Sequence, residues 1–130
     1  MKTILVDAVH TFVIKKDDSF QIFKEMQELL EKFPNKKIIL TNANDEEYKK
    51  FSLDKMPWEV FTLKHNPEKT NPEYYKTMFQ KFNLDPKDVI YFEHSIDAVK
   101  SAQLAGITTY HYNNEKKDLT TLKKFIEENL

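Results

Sequence analysis

The chain has no cysteine and a single glycine. Without cysteine there is no disulfide, no thiolate nucleophile and no sulfur-ligated metal, and a reducing compartment is the expected setting. One glycine excludes a glycine-rich phosphate loop of either the dinucleotide or the P-loop kind, because both need several. No charge of one sign dominates either. Twenty basic residues stand against 21 acidic ones, so the electrostatic footprint of a nucleic-acid or anionic-membrane binder is lacking. No apolar run is long enough to span a bilayer, and the N-terminus enters a strand at once without a leader-like stretch. A cytoplasmic location is therefore expected.

What is present suits one globular domain over residues 1–130. The chain is 40% hydrophobic and 13% aromatic, enough for a real core but too short for a second one. The apolar period alternates between two and 3.6 residues. Strands are expected at Thr3–Val6, Lys37–Thr41, Trp58–Leu63, Val89–Phe92 and Ile107–Tyr112. Between them, Asp17-Asp18-Ser19 offers capping groups to a helix with apolar positions Phe20, Phe23, Met26, Leu29, Leu30 and Phe33. Asn42 to Asp45 caps a short helix through Tyr48 and Phe51, and Pro72 opens a helix over Glu73 to Phe82. Ile96 to Ala105 is a small-residue helix closed by Gly106, and Leu119 to Asn129 is the last helix. Such alternation predicts an α/β fold with a parallel sheet flanked by helices and joined by right-handed crossovers.

The first strand is the organising one. Thr3-Ile4-Leu5-Val6 ends abruptly on Asp7, delivering a carboxylate to the carboxyl edge of the sheet, where open α/β sheets bind ligands. Three later segments put polar groups at comparable positions: Thr41-Asn42, Lys69-Thr70-Asn71-Pro72, and Glu93-His94-Ser95. Helix capping is the alternative role for Thr41 and Asn42, and Lys64 is a rival for Lys69. Among the aromatics, Phe20, Phe23, Phe33, Phe79 and Phe82 have helical spacing and are expected in the core. Trp58, Tyr74, Tyr75, Tyr110 and Tyr112 are candidates for an exposed group that would serve a partner or an oligomer.

Together, Asp7-Ala8-Val9-His10-Thr11, Thr41-Asn42, Lys69 through Tyr75, and Tyr91-Phe92-Glu93-His94-Ser95 followed by Ala102 to Ile107 resemble the four ordered motifs of the haloacid dehalogenase-like hydrolase superfamily. The resemblance implies a Rossmann-like three-layer α/β/α sandwich whose five-stranded parallel sheet runs in the order 3-2-1-4-5. It implies no substantial cap, since one helix separates the first motif from the second. It further implies phosphoryl transfer from a phosphorylated small molecule or macromolecule to an aspartate nucleophile, with Mg²⁺ as cofactor. Asp7 matches the nucleophile, with the Val9 main-chain carbonyl a metal ligand. Thr41, with Asn42 beside it, matches the phosphate-binding hydroxyl, and Lys69 the charge-neutralising lysine.

Three departures accompany these matches. Val9 stands where such phosphatases carry the acid that protonates the leaving group, and valine cannot transfer a proton. His10 is the nearest alternative acid/base. In the fourth motif His94 and Ala98 stand at the two carboxylate positions. Glu93 and Asp97 keep the same separation one place earlier and are alternative metal ligands; equally, they cap the helix N-terminus, or His94 ligates a softer divalent ion. Two functions remain open: a phosphohydrolase of unconventional chemistry, or a catalytically silent relative that binds a ligand or a protein.

Overall fold

A computed structural model describes residues 1–130. Five strands, β1 (Thr3–Asp7), β4 (Lys37–Thr41), β5 (Glu59–Thr62), β6 (Val89–Glu93) and β7 (Thr108–His111), form one sheet in the order β5-β4-β1-β6-β7. All four pairings are parallel. Counting these strands alone, the order is 3-2-1-4-5, as expected from the resemblance.

The strand residues alternate between two cores. Ile4 and Val6 of β1, Ile39 of β4 and Ile90 and Phe92 of β6 face helices α1 (Lys24–Glu31) and α5 (Leu119–Asn129), meeting Met26, Leu30, Leu122 and Ile126. Leu5, Ile38, Leu40, Val89 and Tyr91 face α3 (Glu73–Phe82) and α4 (Ile96–Leu104), meeting Tyr74, Tyr75, Met78 and Ala102. Asp7 has the parity of Leu5 and Glu93 that of Tyr91, so both carboxylates lie on the α3 side of the sheet. Val6 pairs with Phe92, which brings Asp7 and Glu93 level at the carboxyl edge.

The short helix α2 (Asp45–Lys50) starts on a capping box. Asn44 accepts from the Glu47 amide, and the Glu47 side chain accepts from the Asn44 amide. The lone glycine, Gly106, sits at φ +90° just beyond α4, where an added Cβ would lie 3.3 Å from the Pro86 side chain. A left-handed helix end in contact with a neighbouring loop explains why this one position keeps glycine.

One segment departs from the sequence reading. Asp17-Asp18-Ser19 does not cap a helix: β2 (Val13–Lys16) and β3 (Ser19–Ile22) form an antiparallel hairpin, with Asp17 in its turn at φ +58°. Phe20 is a strand residue packed edge-on against Phe51 of the α2 end, and α1 begins only at Lys24. The spacing of Phe20 and Phe23 fits a helix by coincidence, while the β-branched Val13-Ile14 and a turn-forming Asp dictate the hairpin. The aromatic residues that were candidates for an exposed group are not exposed. Tyr74, Tyr75 and Tyr112 are buried, and Trp58 and Tyr110 are half-buried against Phe12 and Phe125.

Candidate active site

Asp7 is fully buried at the end of β1, and both of its oxygens are engaged. Oδ1 accepts from Lys69 Nζ at 2.7 Å. Oδ2 accepts from Thr11 Oγ1 at 2.6 Å, from the His94 amide at 3.2 Å and from His94 Nδ1 at 2.5 Å. Thr11 reaches back because the turn Ala8 to Thr11 folds over the strand end, with Thr11 and Val13 amides bonded to the Ala8 carbonyl.

Lys69 enters from the loop before α3, held there by Asn42, whose Oδ1 accepts the Lys69 amide at 2.8 Å. Its ammonium bridges Asp7 and Glu93, the latter at 2.6 Å. Glu93 is equally saturated: Oε1 also accepts from the Tyr91 hydroxyl at 2.5 Å, and Oε2 accepts from the Ser95 amide at 3.0 Å and lies 3.2 Å from His94 Nδ1. Buried charges persist only when paired in this way.

The ionisation states follow from the pairing. Burial opposes the charge on Asp7, but the adjacent Lys69 and the hydrogen bond from His94 hold its carboxyl far below the usual carboxylate range. Burial likewise opposes the ammonium of Lys69, yet Asp7 and Glu93 raise its pKa well above the ordinary lysine value. For His94, burial is outweighed by hydrogen bonds to Asp7 and Glu93, which push its pKa from 6.5 up to about 10. Tyr91 stays a neutral donor, its pKa raised first by burial and then by Glu93.

Because His94 binds its proton more tightly in the folded chain than in the unfolded one, the stability it contributes is complete below 6.5 and lost as pH rises through about 10. Urea unfolding between these limits is expected to show a decline in stability that His94→Gln flattens. An unchanged slope in the variant would refute the His94 ion pairs.

Asp7, Lys69, Glu93 and His94 line a cavity of about 310 Å³, together with Val9, His10, Thr41, Asn42 and Ala98. Thr41 is buried; its backbone amide and carbonyl both bond to the Tyr74 hydroxyl, at 3.0 and 2.8 Å, and its Oγ1 accepts from the Ala43 amide at 3.3 Å. The Thr41-Asn42 turn thus precedes the α2 cap rather than supplying it. His10 is exposed at φ +68°, with its ring centroid 5.7 Å from that of His94. At the rim His65 bridges Glu47 of α2 and Glu68 of the Lys69 loop, at 2.5 and 2.6 Å. Those two bonds, Glu68 first, raise its pKa.

Most of the residues singled out in the sequence therefore converge: Asp7, Val9, His10, Thr41, Asn42, Lys69, Glu93 and His94. Two do not. Asp97 lies exposed on the first turn of α4, where an acid favours the helix N-terminus, and takes no part in the cavity lining. The rival Lys64 is exposed and pairs with Asp45 at 3.1 Å. The sequence assigns no role to Thr11, Tyr91 or His65, which the structure also brings to the site. Tyr91 was findable, since it shares the face of Glu93 two residues on along one strand.

A hard dication needs several free oxygens, and this floor does not supply them. Asp7, Glu93 and His94 bring their ligand atoms within 4.8 Å of one another. However, every carboxylate oxygen already accepts a proton donor, and the third member is an imidazole. The donor set therefore does not fit Mg²⁺.

No family model and no curated relative matches the chain. Solved structures do. A HAD family enzyme from Bacteroides thetaiotaomicron superposes with a TM-score of 0.74 at 16% identity, covering 94% of this chain and 98% of that one. Its wild-type complex with magnesium and inorganic phosphate superposes at 0.71, with the same identity and coverage. A D,D-heptose 1,7-bisphosphate phosphatase from B. bronchiseptica, complexed with magnesium and phosphate, gives 0.67 at 17% identity over 93% of this chain and 87% of that one.

Proposed function

We propose that this chain, which carries the haloacid dehalogenase-like fold, is a single-domain phosphohydrolase that uses Asp7 as its nucleophile. The observation that supports this most directly is the buried, ionised Asp7 at the sheet edge, in hydrogen-bond contact with the ammonium of Lys69 and open to a cavity of about 310 Å³. An Asp7 oxygen attacks phosphorus, the bond from phosphorus to the leaving oxygen breaks, and water then hydrolyses the aspartyl phosphate. Lys69 neutralises charge on the nucleophile and on the transferring group, and Thr41 Oγ1, also in the cavity lining, holds a phosphoryl oxygen. Asn42 acts through Lys69, by fixing its loop.

Proton transfer is the weak point. With valine at position 9 the leaving oxygen departs unprotonated or takes its proton from His10, the exposed imidazole in the cavity lining. Substrates with good leaving groups are therefore favoured. Between β1 and α1 only the hairpin Val13 to Ile22 is inserted, so the phosphorylated partner is one that reaches an uncapped site, a small molecule or a macromolecule.

The alternative, a silent binding module, draws on two observations: Val9 has no acid to offer, and the floor does not fit a hard divalent ion. Incubation with an aryl phosphate and acid quenching separates the two. Mass spectrometry is expected to show a phosphoryl adduct on Asp7 that Asp7→Asn eliminates. No adduct on the wild-type chain, with phosphate binding intact, would favour the binding module.

A further inference from the structure

The mismatch between this floor and a divalent cation has a physical counterpart in His94. We propose that the His94 side chain takes the place of the metal, so that the cradle receives a phosphate group with protein cations alone. This inference rests on the phosphohydrolase reading above and deepens it.

Four observations lead here. First, His94 Nδ1 lies 2.5 Å from Asp7 Oδ2 and 3.2 Å from Glu93 Oε2, and its main-chain amide also reaches Asp7 at 3.2 Å. It contacts the same two carboxylates that a bound cation would have to join. Second, all four carboxylate oxygens are used by donors, from Lys69, Thr11, Tyr91, Ser95 and His94 itself. A metal would have to compete with charge-assisted hydrogen bonds, the stronger class, for the oxygens it needs.

Third, the formal charges cancel. Asp7 and Glu93 are matched by Lys69 and His94, so no surplus carboxylate charge is left on the floor to draw in a divalent ion. On α4, Ala98 lines the cavity and Asp97 does not, and the one further acid of the lining, Glu47, is engaged by His65 at the rim. Fourth, His94 Nε2 has no partner within the protein, although the ring lines the cavity and is a quarter exposed. With Nδ1 committed to carboxylates, Nε2 is the proton donor left for a ligand oxygen. Phosphate would thus meet the His94 donor directly and the charge of Lys69 beside it, whose three N–H groups go to Asp7, Glu93 and the Leu40 carbonyl, both cations fixed by the same carboxylates before the ligand arrives. Preorganisation of this kind is what makes a charged cradle effective.

Titration calorimetry with inorganic phosphate, on the full chain stripped of metal, tests the proposal. The wild type is expected to bind phosphate in EDTA, with an affinity that excess Mg²⁺ leaves unchanged within error. His94→Gln should weaken that binding by about 10- to 100-fold, as loss of a hydrogen bond to a charged group does. His94→Asp should abolish it in EDTA and restore it with Mg²⁺. Circular dichroism confirms that each variant is folded, and the wild-type comparison needs no variant at all. Wild-type binding that requires Mg²⁺, or unchanged affinity in a folded His94→Gln protein, would overturn the role of His94 and leave the phosphohydrolase reading standing. Failure to bind phosphate in either buffer would overturn both.

Discussion

Val9→Asp is expected to raise phosphate ester hydrolysis by about 10²- to 10⁴-fold, the range usual for a positioned general acid/base. Val9 lines the cavity beside the strand end that carries Asp7, so a carboxyl group introduced there stands next to the leaving oxygen. The gain should be larger on an alkyl phosphate than on an aryl phosphate. Phenolate leaves without a proton, whereas an alkoxide needs one, and both substrates share the benefit of an activated water in the second step. Steady-state rates on the two esters check this. If the variant binds phosphate yet stays at the wild-type rate on both, the cradle is a binding site and not a catalytic one. If the unmodified chain already turns over alkyl esters and His10→Ala stops it, the imidazole at position 10 carries the proton.

Lys69→Met is expected to cost about 3–5 kcal/mol of folding stability, the usual penalty for leaving buried charge without its partner. Lys69 is the sole ammonium contacting Asp7 and Glu93, and all three side chains are at least nine-tenths buried. Against a domain stability of about 5–15 kcal/mol the loss is severe, and urea unfolding measures it directly. Adding Glu93→Gln should recover part of the loss, because the second uncompensated carboxylate is then gone. A single-variant cost below about 1 kcal/mol, the level of an exposed pair, would mean that water reaches the floor of the site. Activity should fall as well, with phosphoryl charge left unbalanced.

The sheet was legible in the sequence because its signals are local and strong. Lys37–Thr41 holds a continuous apolar run at Ile38–Leu40, Pro72 marks the start of α3, and the expected bounds of α3 and α5 coincide with those observed. The hairpin was not legible. Its four-residue strands carry lysines and a single full core residue, Val13, so the period that distinguishes strand from helix has no room to show itself.

For the site, strand ends predicted which polar groups would gather. What each touches depends on geometry that spacing does not carry. Glu93 is a candidate metal ligand or helix cap from the sequence; in the structure it stands beside Asp7 and His94, accepts the amide of Ser95 at the start of α4, and also receives Lys69 and Tyr91, which spacing does not foretell. A one-residue choice of register at the β6 end decides that Glu93 points down among buried groups while Asp97 points to water. Loop contacts such as the His65 bridge join residues 18 and three positions away and leave no pattern in the sequence.

The strand order also sets when this site comes into being. Central β1 is synthesised first, yet its partners arrive late: Ile4 waits for Lys37, and Thr3 for Val89. At ribosomal rates of about 5–20 residues per second, an interval of that length leaves one edge of β1 unpaired for roughly 4–17 seconds. During that time its Ile-Leu-Val core is a free, strongly β-forming edge, the kind of segment that recruits chaperones or other nascent chains. Asp7, at the end of that run, cannot meet Lys69 or His94 until 62 and 87 further residues have been made. Affinity for phosphate should therefore appear only after β6 has docked, which would make ligand binding a timer for completion of the sheet.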